Sequence, residues 1–120
     1  MAENNGRILV VEDDSLIAMM LEDMLLELGY EISGIAPGLD DALTMAAALN
    51  FDAAILDVSL AGRSSLPVAQ YLDEKGKPYI FATGYGALPE GMEGRGRRVL
   101  NKPYQLHQLK DALDSLQISS

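Results

Sequence analysis

The fold class is decided by residues 8–14, which read Ile8-Leu9-Val10-Val11-Glu12-Asp13-Asp14. Four apolar residues, most of them β-branched, suit a strand that is buried on both faces of a parallel sheet. Three carboxylates follow immediately, where such a strand would leave the sheet. This order of residues predicts an α/β protein with an acidic site at the carboxyl ends of its strands.

Four further strand-like runs follow along the chain, at residues 30–36, 52–57, 78–83 and 98–101. Stretches with helical patterning separate them, and this alternation predicts βαβ units with right-handed crossovers. We therefore expect an α/β fold with a doubly wound, five-stranded parallel sheet and helices on both faces. The flavodoxin-like strand order 2-1-3-4-5 is the most economical one for strands of this length.

The first helix is expected to run from Ser15, as its N-cap, to about residue 28. Helical spacing predicts a wide apolar face, which consists of Leu16, Met20, Met24 and Leu28 flanked by Ile17, Leu21 and Leu25. We interpret the methionines at positions 19, 20, 24 and 45 as core-filling residues rather than as a binding surface.

The other helices have weaker start and stop signals. Asp40 and Asp41 favour the start of a second helix that ends near Asn50. Ser64 or Ser65 is expected to cap a third helix. A last amphipathic helix is indicated by Leu106, Leu109, Leu113 and Leu116. Residues 84–96 are rich in glycine, which predicts a short or loosely held helix there.

Composition narrows the classes of function. The 120 residues contain 9 Lys and Arg against 18 Asp and Glu, and the net charge of −9 disfavours nucleic acid or an anionic membrane surface as a partner. Hydrophobic residues make up 48%, enough for one core, so we expect a single domain over residues 1–120. The chain has no cysteine, no long apolar run and a polar start, from which we expect a cytoplasmic protein without thiol chemistry.

Polar side chains end the central strands of the predicted sheet. Glu12 and Asp13 follow the first strand, and Asp57 ends the third. Two carboxylates about 4 Å apart repel each other by roughly 4 kcal/mol at an effective dielectric constant near 20, so the cluster calls for a cation. Oxygen ligands select a hard divalent ion such as Mg²⁺, and the lack of nearby His and Cys disfavours zinc.

Two more polar residues are expected beside the carboxylates. Thr83 ends the fourth strand with a hydroxyl, and Lys102 follows the fifth with an ammonium. Phosphoryl transfer depends on positioning and on neutralising the phosphoryl oxygens, which these groups and a metal ion can provide. A carboxylate can itself be the nucleophile and form an aspartyl phosphate.

In this arrangement the chain resembles the receiver domain of response regulators of two-component signalling, over residues 7–116. The matching positions are Glu12-Asp13 after the first strand, Asp57 at the end of the third, Thr83 at the end of the fourth and Lys102-Pro103 after the fifth. Each match alone is weak, but all of them in order are specific.

The resemblance implies that Asp57 accepts a phosphoryl group from a histidine kinase. The implied Mg²⁺ ligands are Glu12, Asp13, Asp57 and the backbone carbonyl of Ser59. Thr83 and Lys102 would contact the phosphoryl oxygens, and the Lys102-Pro103 bond is expected to be cis. In such domains a kinase usually docks on the first helix, and a downstream protein binds the surface formed here by residues 86–116.

Residues 81–86, Phe81-Ala82-Thr83-Gly84-Tyr85-Gly86, resemble a subgroup of receivers that often stand alone and often pair with kinases of the HWE type. Only residues 117–120 follow Leu116. We therefore expect a stand-alone switch or phosphate sink that acts through an unknown downstream protein and is not a turnover enzyme.

The chain departs from the family pattern in two places. Val99 stands where an aromatic switch residue is usual, and Ala61, followed by Gly62, stands where proline is usual. We hypothesise that phosphorylation orders residues 84–96 instead of rotating a ring. Tyr85 is expected to cover the phosphoryl group and to slow its hydrolysis.

Two other classes of function stay open at this point. A Mg²⁺-dependent phosphatase with an aspartate nucleophile would normally carry a second aspartate where this chain has Ser59. A flavodoxin-like mononucleotide binder would need a phosphate-binding loop after the first strand, where Glu12 and its neighbours would repel phosphate. We interpret His107 as a solvated helix residue, and Arg95, Arg97 and Arg98 as solvated surface residues or a patch for an acidic partner.

Overall fold

The computed structural model describes residues 5–84 and 98–116, the side chain of Arg98 excepted. The elements in chain order are β1 (Arg7–Val11), α1 (Ser15–Glu27), β2 (Glu31–Ala36), α2 (Leu39–Ala48), β3 (Ala53–Asp57), β4 (Ser59–Leu60), β5 (Arg63–Ser64), α3 (Leu66–Lys75), β6 (Tyr79–Thr83), β7 (Arg98–Asn101) and α4 (Leu106–Asp114). Among these described residues, no helix combines the length and hydropathy that crossing a membrane would require.

Five strands form one parallel sheet in the order β2-β1-β3-β6-β7. The short strands β4 and β5 pair only with each other, as an antiparallel hairpin. Counting the five long strands alone, the order is 2-1-3-4-5, so the predicted flavodoxin-like fold class is confirmed. β3 and β6 are buried along their whole length, as expected of continuous apolar runs in the centre of a parallel sheet.

The core consists of two layers, one on each face of the sheet. Alternate residues of a strand point to opposite faces, so Leu9 and Leu56 pack with α2 and α3, whereas Ile8 and Ile55 pack with α1 and α4. Helices on both faces leave the carboxyl edge of the sheet as the place where loops and side chains converge.

The N-cap of α1 is Asp14, so the prediction of Ser15 as the cap was wrong. The Asp14 carboxylate accepts hydrogen bonds from the backbone N–H groups of Leu16 (2.9 Å) and Ile17 (3.2 Å). Asp14 also has the extended backbone of a cap residue (φ −88°, ψ 113°), whereas Ser15 is already helical. Aspartate and serine are both favourable N-cap residues, so the backbone conformation determines that Asp14 and not Ser15 is the cap.

The predicted apolar face of α1 was also wrong in part. Leu16 and Met20 are 63% and 52% exposed, and Met19 is 57% exposed, so these methionines do not fill the core. Leu21 and Leu25, which flanked the predicted face, are buried as expected, and Ala18 completes the buried face. Met24 and Met45 are partly buried against the core, as expected. An apolar strip of α1 therefore faces solvent.

The end of α2 differs slightly from the expectation, whereas α3 starts where it was predicted to start. α2 ends at Ala48, two residues before the predicted end at Asn50. Ser65 is the N-cap of α3 by position, but its side chain makes no capping bond, and the Ser64 hydroxyl accepts from the N–H of Leu66 instead. Leu109 and Leu113 of α4 and Leu116 just after it are buried, as the amphipathic pattern indicates, and Leu106 is partly buried.

Candidate functional site

Strand register brings the candidate residues to one edge of the sheet. Val11 of β1 lies beside Leu56 of β3, so Glu12 and Asp57 emerge side by side. Thr83 ends β6, which is the next strand along, and pairs with Asn101, directly before Lys102. All the predicted site residues therefore lie at the carboxyl ends of adjacent strands, or directly after them.

Three carboxylates converge in this site. One oxygen each of Glu12, Asp13 and Asp57 can be chosen so that all lie within 4.8 Å of one another. Glu12 and Asp57 are buried, whereas Asp13 is exposed. Within residues 5–84 and 98–116, this is the one such group of potential ligands. Oxygen donors at this spacing fit a hard divalent cation such as Mg²⁺.

Lys102 supplies the positive charge of the site. Its Nζ lies 2.7 Å from Glu12 Oε2 and 3.1 Å from Asp57 Oδ2. The Lys102 backbone N–H donates to the carbonyl of Thr83 (2.8 Å), and the Lys102-Pro103 peptide bond is cis, as expected. Burial lowers the pKa of Lys102, but its hydrogen bonds to the carboxylates outweigh this and raise the pKa above the usual value.

The pKa values of the two carboxylates that follow β1 shift in opposite directions, although burial acts to raise both. Burial raises the pKa of Glu12 to about 7, against the lowering effects of the Lys102 ammonium and of the Asp14 N–H, which donates to Glu12 Oε1. Burial also acts to raise the pKa of Asp13, but hydrogen bonds, chiefly from the Ala61 N–H, bring it below the usual value. Asp13 is therefore ionised at neutral pH, whereas Glu12 is close to its midpoint.

Thr83 and Ser59 flank Asp57 in the fold. Thr83 is 1% exposed at the end of β6. Ser59 begins the β4–β5 hairpin, and its backbone N–H approaches Asp57 Oδ1 at 3.4 Å, a long contact. The roles of Thr83 toward a phosphoryl group and of the Ser59 carbonyl toward a metal ion stay predictions.

The structure adds Tyr104, which the sequence did not single out, and it shows a contact for Ala61, which the sequence marked only as a departure from the family pattern. Tyr104 is partly buried close to the site, where burial and the negative charges of Glu12 and Asp57 raise the pKa of its hydroxyl well above the usual value. Ala61, in the turn of the hairpin, donates its N–H to Asp13 Oδ2 at 2.8 Å. Tyr104 could have been predicted to lie near the site, because it directly follows Lys102-Pro103. The hydrogen bond between Ala61 and Asp13 joins residues 48 positions apart, so no local sequence pattern indicates it.

A groove of about 290 Å³ opens beside Lys102, between α1 and the segment that leads from β7 to α4. Its apolar lining consists of Ile17, Met20, Leu21, Met24, Pro103 and Tyr104. The exposed residues Leu16 and Met19 extend the apolar surface along α1. The acidic site is therefore bordered by an apolar surface of the kind that a partner helix can cover.

The remaining positions interpreted from the sequence lie partly inside and partly outside the described residues. His107 is exposed on α4, as expected of a solvated residue, and Val99 of β7 is 38% exposed. Tyr85, Arg95 and Arg97, as well as the side chain of Arg98, lie outside the described residues. The hypothesis that residues 84–96 become ordered concerns the same segment, apart from Gly84, and stays a prediction.

Sequence comparison identifies relatives of this chain. It matches the family model of the response regulator receiver domain over residues 8–114. The two-component response regulator PhoP of Pseudomonas aeruginosa is 30% identical over 115 residues, which are 92% of this chain and 51% of PhoP. The transcriptional regulatory protein PdtaR of Mycobacterium tuberculosis is 30% identical over 112 residues, or 90% of this chain and 55% of PdtaR. The chain thus spans about half the length of these curated relatives.

Solved structures with the same fold include three informative ones. SdrG from Sphingomonas melonis is 38% identical, with a TM-score of 0.82 and 98% of this chain and 99% of SdrG covered. The PhyR receiver domain of Erythrobacter litoralis is 27% identical, with a TM-score of 0.84 and coverage of 98% and 95%. TrrA of Thermotoga maritima, in complex with Mg²⁺ and BeF, is 31% identical, with a TM-score of 0.82 and coverage of 92% and 97%. By its sequence match, its sheet order and the residues at its strand ends, the chain belongs to the response regulator receiver domain family.

Proposed function

We propose that this receiver domain takes a phosphoryl group from the phosphohistidine of a sensor kinase onto Asp57, in a reaction that requires Mg²⁺. The observation that carries the proposal is the triangle formed by Lys102 with Glu12 and Asp57, at 2.7 and 3.1 Å. A buried carboxylate beside an ammonium and two further carboxylates has the groups that phosphoryl transfer to an aspartate needs.

The ligands proposed for Mg²⁺ are Glu12, Asp13, Asp57 and the backbone carbonyl of Ser59. Their oxygen donors fit this ion, and the Mg²⁺–BeF complex of the 31% identical TrrA supports the assignment. When bound, the ion would neutralise charge on the phosphoryl oxygens. The excess of negative charge from three clustered carboxylates is itself a reason for the site to bind a cation.

Each residue of the site then has a role. A carboxylate oxygen of Asp57 attacks phosphorus, the bond between phosphorus and the histidine nitrogen breaks, and the imidazole leaves with the electron pair of that bond. Lys102 exchanges its contact with a carboxylate for one with a phosphoryl oxygen. The Thr83 hydroxyl donates a hydrogen bond to a second phosphoryl oxygen. These contacts neutralise the transferred group without covalent chemistry of their own.

The proposed phosphate donor is a histidine kinase of the HWE type that docks on α1. The apolar groove beside Lys102 supports this docking site, because it leads from exposed Met20 to the acidic cluster. The resemblance of residues 81–86 to one receiver subgroup supports the kinase type. We further propose that the domain stands alone, as a switch or phosphate sink and not a turnover enzyme. The match to SdrG, of whose solved chain 99% is covered, supports the first part of this proposal.

The site favours this function over the two alternatives. Ser59 lacks the acidic group with which a phosphatase of this fold would protonate its leaving group. The loop after β1 presents the carboxylates of Glu12 and Asp13, instead of a row of free N–H groups for a nucleotide phosphate. A phosphoacceptor needs neither feature.

Transfer of labelled phosphate from a panel of histidine kinases, including HWE types, tests the proposal. The wild-type protein is expected to take up label with Mg²⁺ and not with EDTA, and Asp57→Asn is expected to take up none. Asp52→Asn, which changes the aspartate just before β3, at the opposite end of that strand, is the matched control and is expected to behave like the wild type. Label on Asp57→Asn, or none on the wild type from any kinase or small acyl phosphate, would contradict the proposal.

A further inference from the structure

The turn of the β4–β5 hairpin has an unusual backbone. Ser59 pairs with Ser64 and Leu60 with Arg63, which leaves Ala61 and Gly62 as a two-residue loop. Both have positive φ, 52° at Ala61 and 85° at Gly62, as in a type I′ turn. Ala61 is the one residue other than glycine with positive φ in the described part of the chain. Such a conformation is retained only where its surroundings hold it.

What holds Ala61 is a contact with the acidic site. Its N–H donates to Asp13 Oδ2 at 2.8 Å. Asp13 is exposed, and of the hydrogen bonds that act on its carboxylate, the one from the Ala61 N–H does most to lower its pKa. Proline, with its φ near −65° and no N–H, could supply neither the turn nor the donor at position 61.

We propose that the Ala61–Gly62 turn is a positioning element for the metal site, which fixes the Asp13 carboxylate in place before a divalent cation binds. The inference rests on the proposed function, since it assumes that Asp13 is a ligand of Mg²⁺. The bond to Ala61 holds Asp13 where one of its oxygens lies within 4.8 Å of ligand oxygens of Glu12 and Asp57. Ala61 acts through Asp13 and touches neither the cation nor the phosphoryl group.

The β4–β5 hairpin would position two of the proposed metal ligands, the Asp13 carboxylate and the Ser59 carbonyl. Ser59, whose carbonyl is the fourth proposed ligand, is the first residue of the same hairpin and pairs with Ser64 across it. A change in the turn therefore displaces both the Asp13 carboxylate and the Ser59 carbonyl. Partners that orient metal ligands typically contribute about 10- to 100-fold to metal affinity.

Two glycines with positive φ provide a matched test. Gly62 (φ 85°) lies in the turn, and Gly76 (φ 69°) ends α3; at each, an added Cβ would meet nothing within 4 Å. Valine disfavours positive φ equally at both, whereas asparagine tolerates it. In Mg²⁺ titrations followed by NMR or calorimetry, Gly62→Val is expected to weaken binding about ten-fold. Gly76→Val and Gly62→Asn are expected to bind like the wild type.

Amide hydrogen exchange in the absence of metal tests the contact itself. The Ala61 amide is expected to be protected in the wild type and to exchange faster in Asp13→Ala. Equal Mg²⁺ affinity of Gly62→Val and wild type, with both folded by circular dichroism, would overturn this inference and leave the metal site standing. Absence of Mg²⁺ binding by the wild type would instead remove the proposed metal site, and this inference with it.

Discussion

Lys102 and Glu12 form a largely buried ion pair, with 2.7 Å between Nζ and Oε2 and side-chain exposures of 17% and 4%. The same ammonium lies 3.1 Å from Asp57 Oδ2. In the absence of metal, Lys102 therefore acts as the counter-ion of the carboxylates that a divalent cation would use. A buried pair of this kind is weak evidence for stability, because desolvation offsets much of its attraction. Its expected consequence is functional, since a divalent cation at this site would compete with Lys102 for the same oxygens.

Lys102→Met is expected to bind Mg²⁺ about ten-fold more tightly than the wild type, because it removes a positive charge that repels the ion at close range. The same variant is expected to lose phosphorylation on Asp57, because no ammonium is left to pair with the phosphoryl oxygens. Mg²⁺ titration and label transfer measure the two effects separately.

Lys110→Met is the control for this prediction. Lys110 is an exposed lysine that pairs with Asp114 on α4 (2.7 Å), so its removal is expected to change neither Mg²⁺ binding nor phosphorylation. If Lys102→Met bound Mg²⁺ no more tightly than the wild type, Lys102 would not be a competitor of the metal.

Mg²⁺ affinity is expected to rise between pH 6 and pH 8. The pKa of Glu12 is about 7, so below pH 7 a proton occupies the carboxylate that a cation needs, and above pH 7 it does not. Calorimetric titrations at several pH values measure this dependence. Glu12→Gln is expected to bind more weakly and with much less change over the same range, and a wild-type affinity that is flat with pH would count against the assignment.

The contribution of Glu12 to the stability of the metal-free protein is expected to fall as the pH rises, whereas Mg²⁺ affinity is expected to rise. Because the pKa in the folded state, about 7, exceeds the usual 4.5, the contribution of Glu12 to stability is present below pH 4.5 and is lost as the pH rises to 7. In EDTA at pH 8, Glu12→Gln is therefore expected to be more stable than the wild type by about 1–2 kcal/mol. Urea unfolding measures this, and an equal or lower stability of the variant would contradict it.

Asp13 and Asp14 are adjacent carboxylates for which we expect separate roles, since Asp14 caps α1 and Asp13 lies in the acidic site. Asp14→Ala is expected to lower the free energy of unfolding by about 1 kcal/mol, because it removes the cap of α1, and to leave Mg²⁺ binding unchanged. Asp13→Ala is expected to abolish most Mg²⁺ binding. Thermal unfolding and Mg²⁺ titration of both variants separate the roles, and Asp14→Ser, which keeps a capping oxygen, should restore stability. Loss of Mg²⁺ binding in Asp14→Ala would show that the cap also serves the metal site.

The sheet and the placement of the site residues were predictable because their signals are local. Each central strand is an apolar run followed by a polar residue, and parallel pairing then puts Glu12, Asp57 and Thr83 on one edge without further information. The β4–β5 hairpin was not predictable, because Ala61-Gly62 lacks the Asn-Gly signature of its turn type. What holds the turn is a contact with Asp13, far away in the sequence.

The orientation of α1 was not predictable for a different reason. Apolar residues surround much of this helix, so helical spacing allows more than one buried face. Packing against the sheet selects Ala18, Leu21 and Leu25, which leaves Leu16 and Met20 in solvent. The residues that failed as core predictions are thus those that form the apolar surface beside the acidic site.

That surface leads to a prediction about the kinase. Met20→Ser is expected to slow phosphotransfer from the cognate kinase about ten-fold, since a central apolar contact of an interface typically contributes more than about 1 kcal/mol. Binding of Mg²⁺ with beryllofluoride is expected to stay unchanged, because Met20 lines the groove and is not among the carboxylates. Leu26→Ser is the matched control, since Leu26 lies on the same helix with similar exposure, 54% against 52%, and is not part of the groove lining. Equal phosphotransfer rates for the two variants would place the kinase elsewhere, whereas a defect of Met20→Ser alone locates its helix in the groove beside Lys102.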